Sequence, residues 1–371
     1  MSAYAGAIFS PVNSTKKEVT KQIGQVSDAR KEFETVFDPQ LYAPVSKRKE
    51  LKKWPYFPKG VDTANRNPMI WWNNLNRRLA DTCRTIEVSA VCTPAIIPKV
   101  YDDKYYSIMV DVGSGLVQSV EKHGIRVLQT VIVGLPELAV EHRAFEVASI
   151  VSRTDADRVY LVLVSSSHPR RELSDVDELK GAMQLISALE RNEIPVLVSC
   201  CSSDLLLWKS AGASACASGK FFNLRRFTRQ RFEESKATGG GQLPHWFEEG
   251  LLAFLRGVDI KRIRNQDLLS EASQRNPFCQ EVLNNFDEAT RTRTKPKPWL
   301  RISWRQFLYW FADVEARLDS GGVTAEDLLK VAKANWSKLD DARIHMEDRQ
   351  NDGVWIPNWL NTLSEYEAQR P

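Results

Sequence analysis

The chain has 371 residues, with 51 lysines and arginines against 47 aspartates and glutamates, a net charge of +4. At roughly 100 to 200 residues per domain, that length allows two or three domains or one large barrel with additions. Apolar residues at 43% and charged residues at 26% exclude a largely disordered, collagen-like or disulfide-scaffold chain, and a surplus of +4 implies a polyanion partner only where cations cluster.

Seven short β-type runs follow one another up to about residue 220: Tyr4–Phe9, Phe33–Phe37, Ile86–Cys92, Val127–Val133, Val159–Val164, Pro195–Cys200 and Ala213–Ala217. The fifth and sixth are nearly continuous apolar stretches, as expected for strands of a parallel sheet covered on both faces. Between them, Leu179, Met183, Ile186 and Leu189 recur at helical spacing behind Asp175, which stands three residues before Glu178 as an N-cap. Residues 141–153 fill the same position in the preceding unit, and residues 204–210 in the following unit, with Gly212 as the helix stop. Consecutive βα units predict an α/β fold, a (β/α)8 TIM-like barrel over residues 1–235, with an open doubly wound sheet as the alternative. An eighth strand is expected near Pro68–Trp72 or after residue 240. No G-x-G-x-x-G follows the first strand and no GxxxxGK[ST] occurs, which removes the usual nucleotide fingerprints.

Past the break Lys236–Gln242 (KATGGGQ) the texture turns helical, in Phe247, Leu251 and Phe254 and again in Trp304, Phe307, Leu308 and Phe311. Residues 236–371 are therefore read as a helical extension. It holds Trp299, Trp304, Trp310, Trp336, Trp355 and Trp359, enough apolar area to dock on the barrel or on a protein partner. Cys83, Cys92, Cys200, Cys201, Cys216 and Cys279 form no paired CxxC at zinc spacing, so no metal and no cofactor are expected, and a reducing cytoplasmic setting is. The opening MSAYAGAIFSPVNS lacks a basic segment before an apolar stretch, and nowhere do about 18 apolar residues run together. Neither a secretion signal nor a membrane span is expected.

Barrel chemistry sits at the C-terminal ends of strands, which selects the candidate site residues. Asp38, Pro39 and Gln40 follow the second run: the carboxylate is an acid, base or nucleophile candidate and the amide a base-contacting one, although Asp-Pro also simply opens turns. His168 follows the fifth run after three serines, in a basic loop where a turn histidine is the plainer reading. Asp204 follows the sixth run and is either substrate-facing or a helix cap. Ser218 and Gly219 follow the seventh run, where small residues let a ligand approach the backbone. Beyond them Lys220, Arg225, Arg226, Arg229 and Arg231 occur without an acid among Phe221, Phe222 and Phe227, a composition for phosphate contact with stacking surfaces or for a solvated basic helix. A second basic run, Arg291 to Arg305, reads as a solvated linker. His245, beside Glu248 and Glu249, matches no metal motif.

Residues 195–226 (PVLVSCCSSDLLLWKSAGASACASGKFFNLRR) resemble the penultimate-to-last barrel unit of tRNA-guanine transglycosylases and related DNA deazaguanine transglycosylases. Asp38-Pro39-Gln40 is similar in place to that family's early base-binding turn. The resemblance implies a barrel that handles a nucleobase or nucleic acid by base exchange or glycosyl transfer, with Gln40, Ser218, Gly219 and Asn223 at the base and Lys220, Arg225, Arg226 and Arg229 at phosphate. The family's nucleophilic aspartate would fall near Ala217 or Ser218, where there is no carboxylate, and its CxCxxC zinc site is absent. A chain so altered either uses Asp38 or Asp204 instead, or is a non-catalytic nucleic-acid-binding or scaffold subunit.

Overall fold

The computed structural model describes residues 4–43, 46–58, 69–168, 170–219, 225–232, 243–349 and 351–369. Each β-type run contains a strand: β1 (Gly6–Phe9), β2 (Glu34–Phe37), β3 (Ala90–Cys92), β4 (Arg126–Gly134), β5 (Arg158–Val164), β6 (Val196–Val198) and β7 (Ala215–Cys216). They lie side by side in chain order with every pair parallel, a curled half-barrel. The centre is the seven-residue register of β4 on β5, from Leu128↔Arg158 to Gly134↔Val164. Their apolar residues are buried because helices cover the sheet's outer face.

Helices α1 (Lys16–Ala29), α2 (Lys49–Lys52), α3 (Met69–Ile86), α4 (Asp103–Val120), α5 (Leu135–Leu138), α6 (Arg143–Val151), α7 (Val176–Arg191) and α8 (Leu205–Ser210) connect these strands. Asp175 caps α7, its Oδ1 accepting from the Glu178 N–H at 3.0 Å. Gly212 follows α8 at φ 94°, a left-handed turn that favours glycine. Inside α7, Gly181 lets the helix lie against α5, since a Cβ there would stand 1.9 Å from the Leu138 carbonyl oxygen.

Among the described residues no eighth strand joins the sheet. From Met69 onward the first candidate is α3, whose Trp72, Leu75, Leu79, Cys83 and Ile86 repeat at helical spacing and are buried; Pro68 lies outside the described residues. The second candidate is β8 (Trp246–Glu248), which pairs antiparallel with β9 (Ala253–Leu255) in a sheet of its own. That hairpin also corrects the helical expectation for Phe247, Leu251 and Phe254. The run is short enough to suit either state, and Gly250 with Leu252 at φ 52° turns the chain back. Gln306 then holds the strand edge, accepting from Phe247 N–H at 2.9 Å and donating to its carbonyl at 2.6 Å.

The remaining elements are α9 (Gly257–Asn265), α10 (Glu271–Arg275), α11 (Cys279–Thr292), α12 (Leu300–Asp319), α13 (Ala325–Asp341) and α14 (Trp355–Ala368). Helix α12 touches both margins of the half-barrel. Tyr4, just before β1, donates its hydroxyl to the Leu308 carbonyl, and Glu315 accepts the outward N–H of Cys216 in β7 at 2.7 Å. A sheet edge needs partners for its unpaired backbone groups, and at β7 the Glu315 side chain of α12 supplies one. Helix α14 docks on α7: Trp359 donates to the Leu173 carbonyl at 2.6 Å and Lys180 meets Glu365 at 2.8 Å. Trp299, Trp310, Trp336, Trp355 and Trp359 are all buried, so at these five positions the aromatic area is covered within the chain itself. No helix among the described residues is long and apolar enough to cross a membrane.

Candidate functional site

Asp38 follows the last residue of β2, at the C-terminal end of the sheet, and its N–H donates to the Phe9 carbonyl of β1 at 3.1 Å. The Asp-Pro turn expected there forms: the Gln40 N–H returns to Asp38 Oδ1 at 3.0 Å, with Gln40 at φ 50°. The same carboxylate faces inward. Its Oδ2 accepts from Gln40 Nε2 at 3.2 Å, the Tyr42 hydroxyl at 2.9 Å and the Tyr160 hydroxyl of β5 at 3.4 Å. A chain of donors fixes the amide, since Arg231 Nη2 donates to Ser10 Oγ at 3.2 Å and Ser10 donates to Gln40 Oε1 at 2.8 Å.

Arg231 reaches this point on the 3-10 turn Arg229–Phe232, which is tied down on three sides. Arg48 Nε donates to the Arg231 carbonyl and Ser46 Oγ to the Phe232 carbonyl, both at 2.8 Å. Phe227 and Phe232 stand edge-on to Tyr42 at 5.2 and 5.6 Å between ring centres. Burial pushes the Asp38 carboxyl above the ordinary aspartate range, opposed by the hydrogen bonds from Gln40 and Tyr42 and by the Arg231 charge. Burial and the Asp38 charge hold Tyr42 and Tyr160 well above the ordinary phenol range, so both hydroxyls stay protonated. The result is a carboxyl whose pKa burial raises, beside an oriented amide and two hydroxyls, a set of groups for acid-base work on a planar hydrogen-bonding ligand.

Asp204, Arg225 and Arg226 belong to a second cluster, centred on Glu172. Arg225 Nη1 donates to Glu172 Oε1, and Arg226 Nη2 to Glu172 Oε2 at 3.3 Å. Arg225 further bonds Ser202 Oγ at 3.2 Å and the Arg170 carbonyl at 3.1 Å, and lies 4.8 Å from the centre of the Phe254 ring; Arg226 bonds the Arg171 carbonyl. Both arginines are buried, 2% and 4% exposed. The solvent-facing basic patch expected at these two positions is therefore an internal ion-pair network, because Glu172, 53 and 54 residues away, pairs with both guanidiniums.

Asp204 Oδ1 accepts the Ser202 N–H at 2.6 Å and caps no helix N–H with its side chain. Burial pushes its pKa from 3.8 to about 6, against the attraction of Arg226 and Arg225. A carboxyl raised by folding contributes its full stability below the unfolded value and loses it as pH climbs through the folded one. Asp204→Asn is therefore expected to gain on the wild type by on the order of 3 kcal/mol between about pH 4 and pH 7, read from paired denaturant titrations at each pH. A constant difference across that range would contradict this.

The other expected site residues are dispersed. His168 is exposed, its Nδ1 accepting the Arg170 N–H at 3.2 Å in a turn. Ser218 donates to the Cys201 carbonyl at 2.6 Å, and Gly219 beside it is half-buried. Arg229 is exposed, and its charge moderates the burial-raised pKa of Tyr101, about 12. Lys220 and Asn223 lie outside the described residues. Cys201 is buried as expected of a core thiol, whereas Cys200 is half-buried at φ 58° between the charges of Asp38, Arg231 and Asp204. Burial and the Arg256 charge lower His245 to about 4, so its ring is neutral at neutral pH. No metal-holding cluster of three or more His, Cys, Asp or Glu side chains occurs among the described residues.

Tyr160 and Ser10 are the site residues that sequence reasoning missed. Tyr160 carries the one hydroxyl of β5, and Ser10 directly follows the last residue of β1; either position is a usable signal. The chain matches no protein-family model and no curated protein.

Proposed function

We propose that this is a divergent transglycosylase-like protein that handles a nucleobase or nucleic acid, a barrel of the (β/α)8 kind in which α12 takes the place of an eighth strand. Asp38 acts as acid, base or nucleophile and Gln40 reads the base edge. The observation that carries this reading is the convergence of Asp38, Gln40, Tyr42, Tyr160 and Arg231 at the C-terminal end of the parallel sheet. In glycosyl transfer a carboxylate attacks the sugar carbon as the base departs, and a neighbouring proton donor neutralises the leaving base. An ionised Asp38 suits the first role and its protonated form the second.

One observation favours a non-catalytic subunit: both Asp38 oxygens are already hydrogen-bonded within the chain. Exchange of a radiolabelled purine or deazapurine into nucleic acid separates the two readings. Exchange by the wild type that is lost in Asp38→Asn supports catalysis. Equal rates in both proteins exclude Asp38, and no exchange by either favours the binding subunit.

A further inference from the structure

From Ala289 to Ala312 the chain carries Arg291, Arg293, Lys295, Lys297, Arg301 and Arg305 and no acid. All six cations are exposed, at the end of α11, along the connecting loop and on the first turns of α12. Lys297 pairs with Glu288 at 3.1 Å; among the described residues the other five have no acid within ion-pair distance. The nearby acid Asp287 is itself held by Arg264 at 2.6 Å.

This segment is a built surface rather than a loose linker. Lys297 exchanges two hydrogen bonds with the Asn285 side chain, both at 2.9 Å, and the Thr294 N–H donates to the Ala289 carbonyl at 2.9 Å. Trp299 is buried edge-on against Phe286 at 5.4 Å, and Lys261 of α9 sits over that same Phe286 ring at 5.7 Å, adding a seventh cation. Arg301 and Arg305 stand one turn apart on one face of α12.

We propose that this face binds the phosphate backbone of a nucleic acid. Unpaired cations on a fixed scaffold match a regular polyanion, and four of the six are arginines, which grip phosphate through two donors at once. A membrane-surface helix would need several large apolar side chains exposed among its cations, and from 289 to 312 Tyr309 alone is an exposed large hydrophobic. The inference goes beyond the barrel site and is independent of what Asp38 binds.

The test is fluorescence anisotropy with a labelled mixed-sequence single-stranded RNA and a duplex DNA, each titrated between about 50 and 200 mM salt. The variants are Arg291→Gln/Arg293→Gln/Lys295→Gln, Arg301→Gln/Arg305→Gln, and the five together, each checked for wild-type circular dichroism. The expected result is binding to at least one of the two nucleic acids, weakened about tenfold or more in the five-site variant. Its salt slope should fall by roughly 0.7 to 0.9 for each phosphate that is no longer neutralised. The readout is binding alone, with no base exchange required, which keeps failure here distinct from failure of the barrel reading. Wild-type affinity and slope in the five-site variant, no binding by the wild type, or binding only to phosphatidylserine vesicles would each overturn the proposal.

Discussion

Glu172→Ala is expected to lower the unfolding free energy by about 3 to 5 kcal/mol, because it leaves two buried guanidiniums without the carboxylate they share. Arg225 and Arg226 are 2% and 4% exposed, so water cannot replace the missing partner without local opening. The ordinary value of surface ion pairs, at most about 1 kcal/mol, is the wrong yardstick here. Replacing all three groups together by apolar residues of similar volume, as in Glu172→Leu/Arg225→Met/Arg226→Met, should cost much less than the single change. Urea titrations of the variants decide it. A Glu172→Ala loss below about 1 kcal/mol would show that the arginines find other partners. The same network anchors the residues leading to Arg231, so Glu172→Ala should also weaken ligand binding beside Asp38.

Asp38→Asn is expected to reduce base exchange by about 100- to 10,000-fold, the usual range for loss of a general acid or base, without lowering stability at neutral pH. Burial holds the Asp38 carboxyl above the ordinary range. Its stabilising contribution is complete below the unfolded pKa and is lost as pH rises through the folded one, and the neutral amide escapes that loss. Lost activity with unchanged or raised thermal midpoint marks a group kept for chemistry; lost stability marks a structural one. The pH profile then assigns the role. A rate that rises as Asp38 ionises belongs to a base or nucleophile, and one that falls belongs to an acid.

The parallel sheet was legible because β5 and β6 are nearly continuous apolar runs, as expected of strands covered on both faces, whereas β4 buries Gln129 and Thr130 among its apolar residues. Asp38 and Gln40 were legible because a proline turn at a strand end has a known orientation. The partnership of Arg225 with Glu172 was not, since neighbouring cations in sequence look solvated until a distant acid is placed beside them. The contact between the two margins of the half-barrel was illegible for a similar reason: the element touching both is α12, 84 residues beyond β7 and helical by every local sign. The burial of the two basic segments runs opposite to their reading. Arg225 and Arg226, read as phosphate ligands, are buried, and the run from Arg291 to Arg305, read as a linker, is a fixed and exposed face.

The most direct measurement is a crystal structure of the protein soaked with a purine or deazapurine base. The expected result is a base within hydrogen-bond distance of Asp38 and the Gln40 amide, with Arg231 or a tyrosine ring shifted to admit it. An empty site at saturating base, or a base bound away from Asp38, would contradict the reading of this carboxyl as the centre of the site.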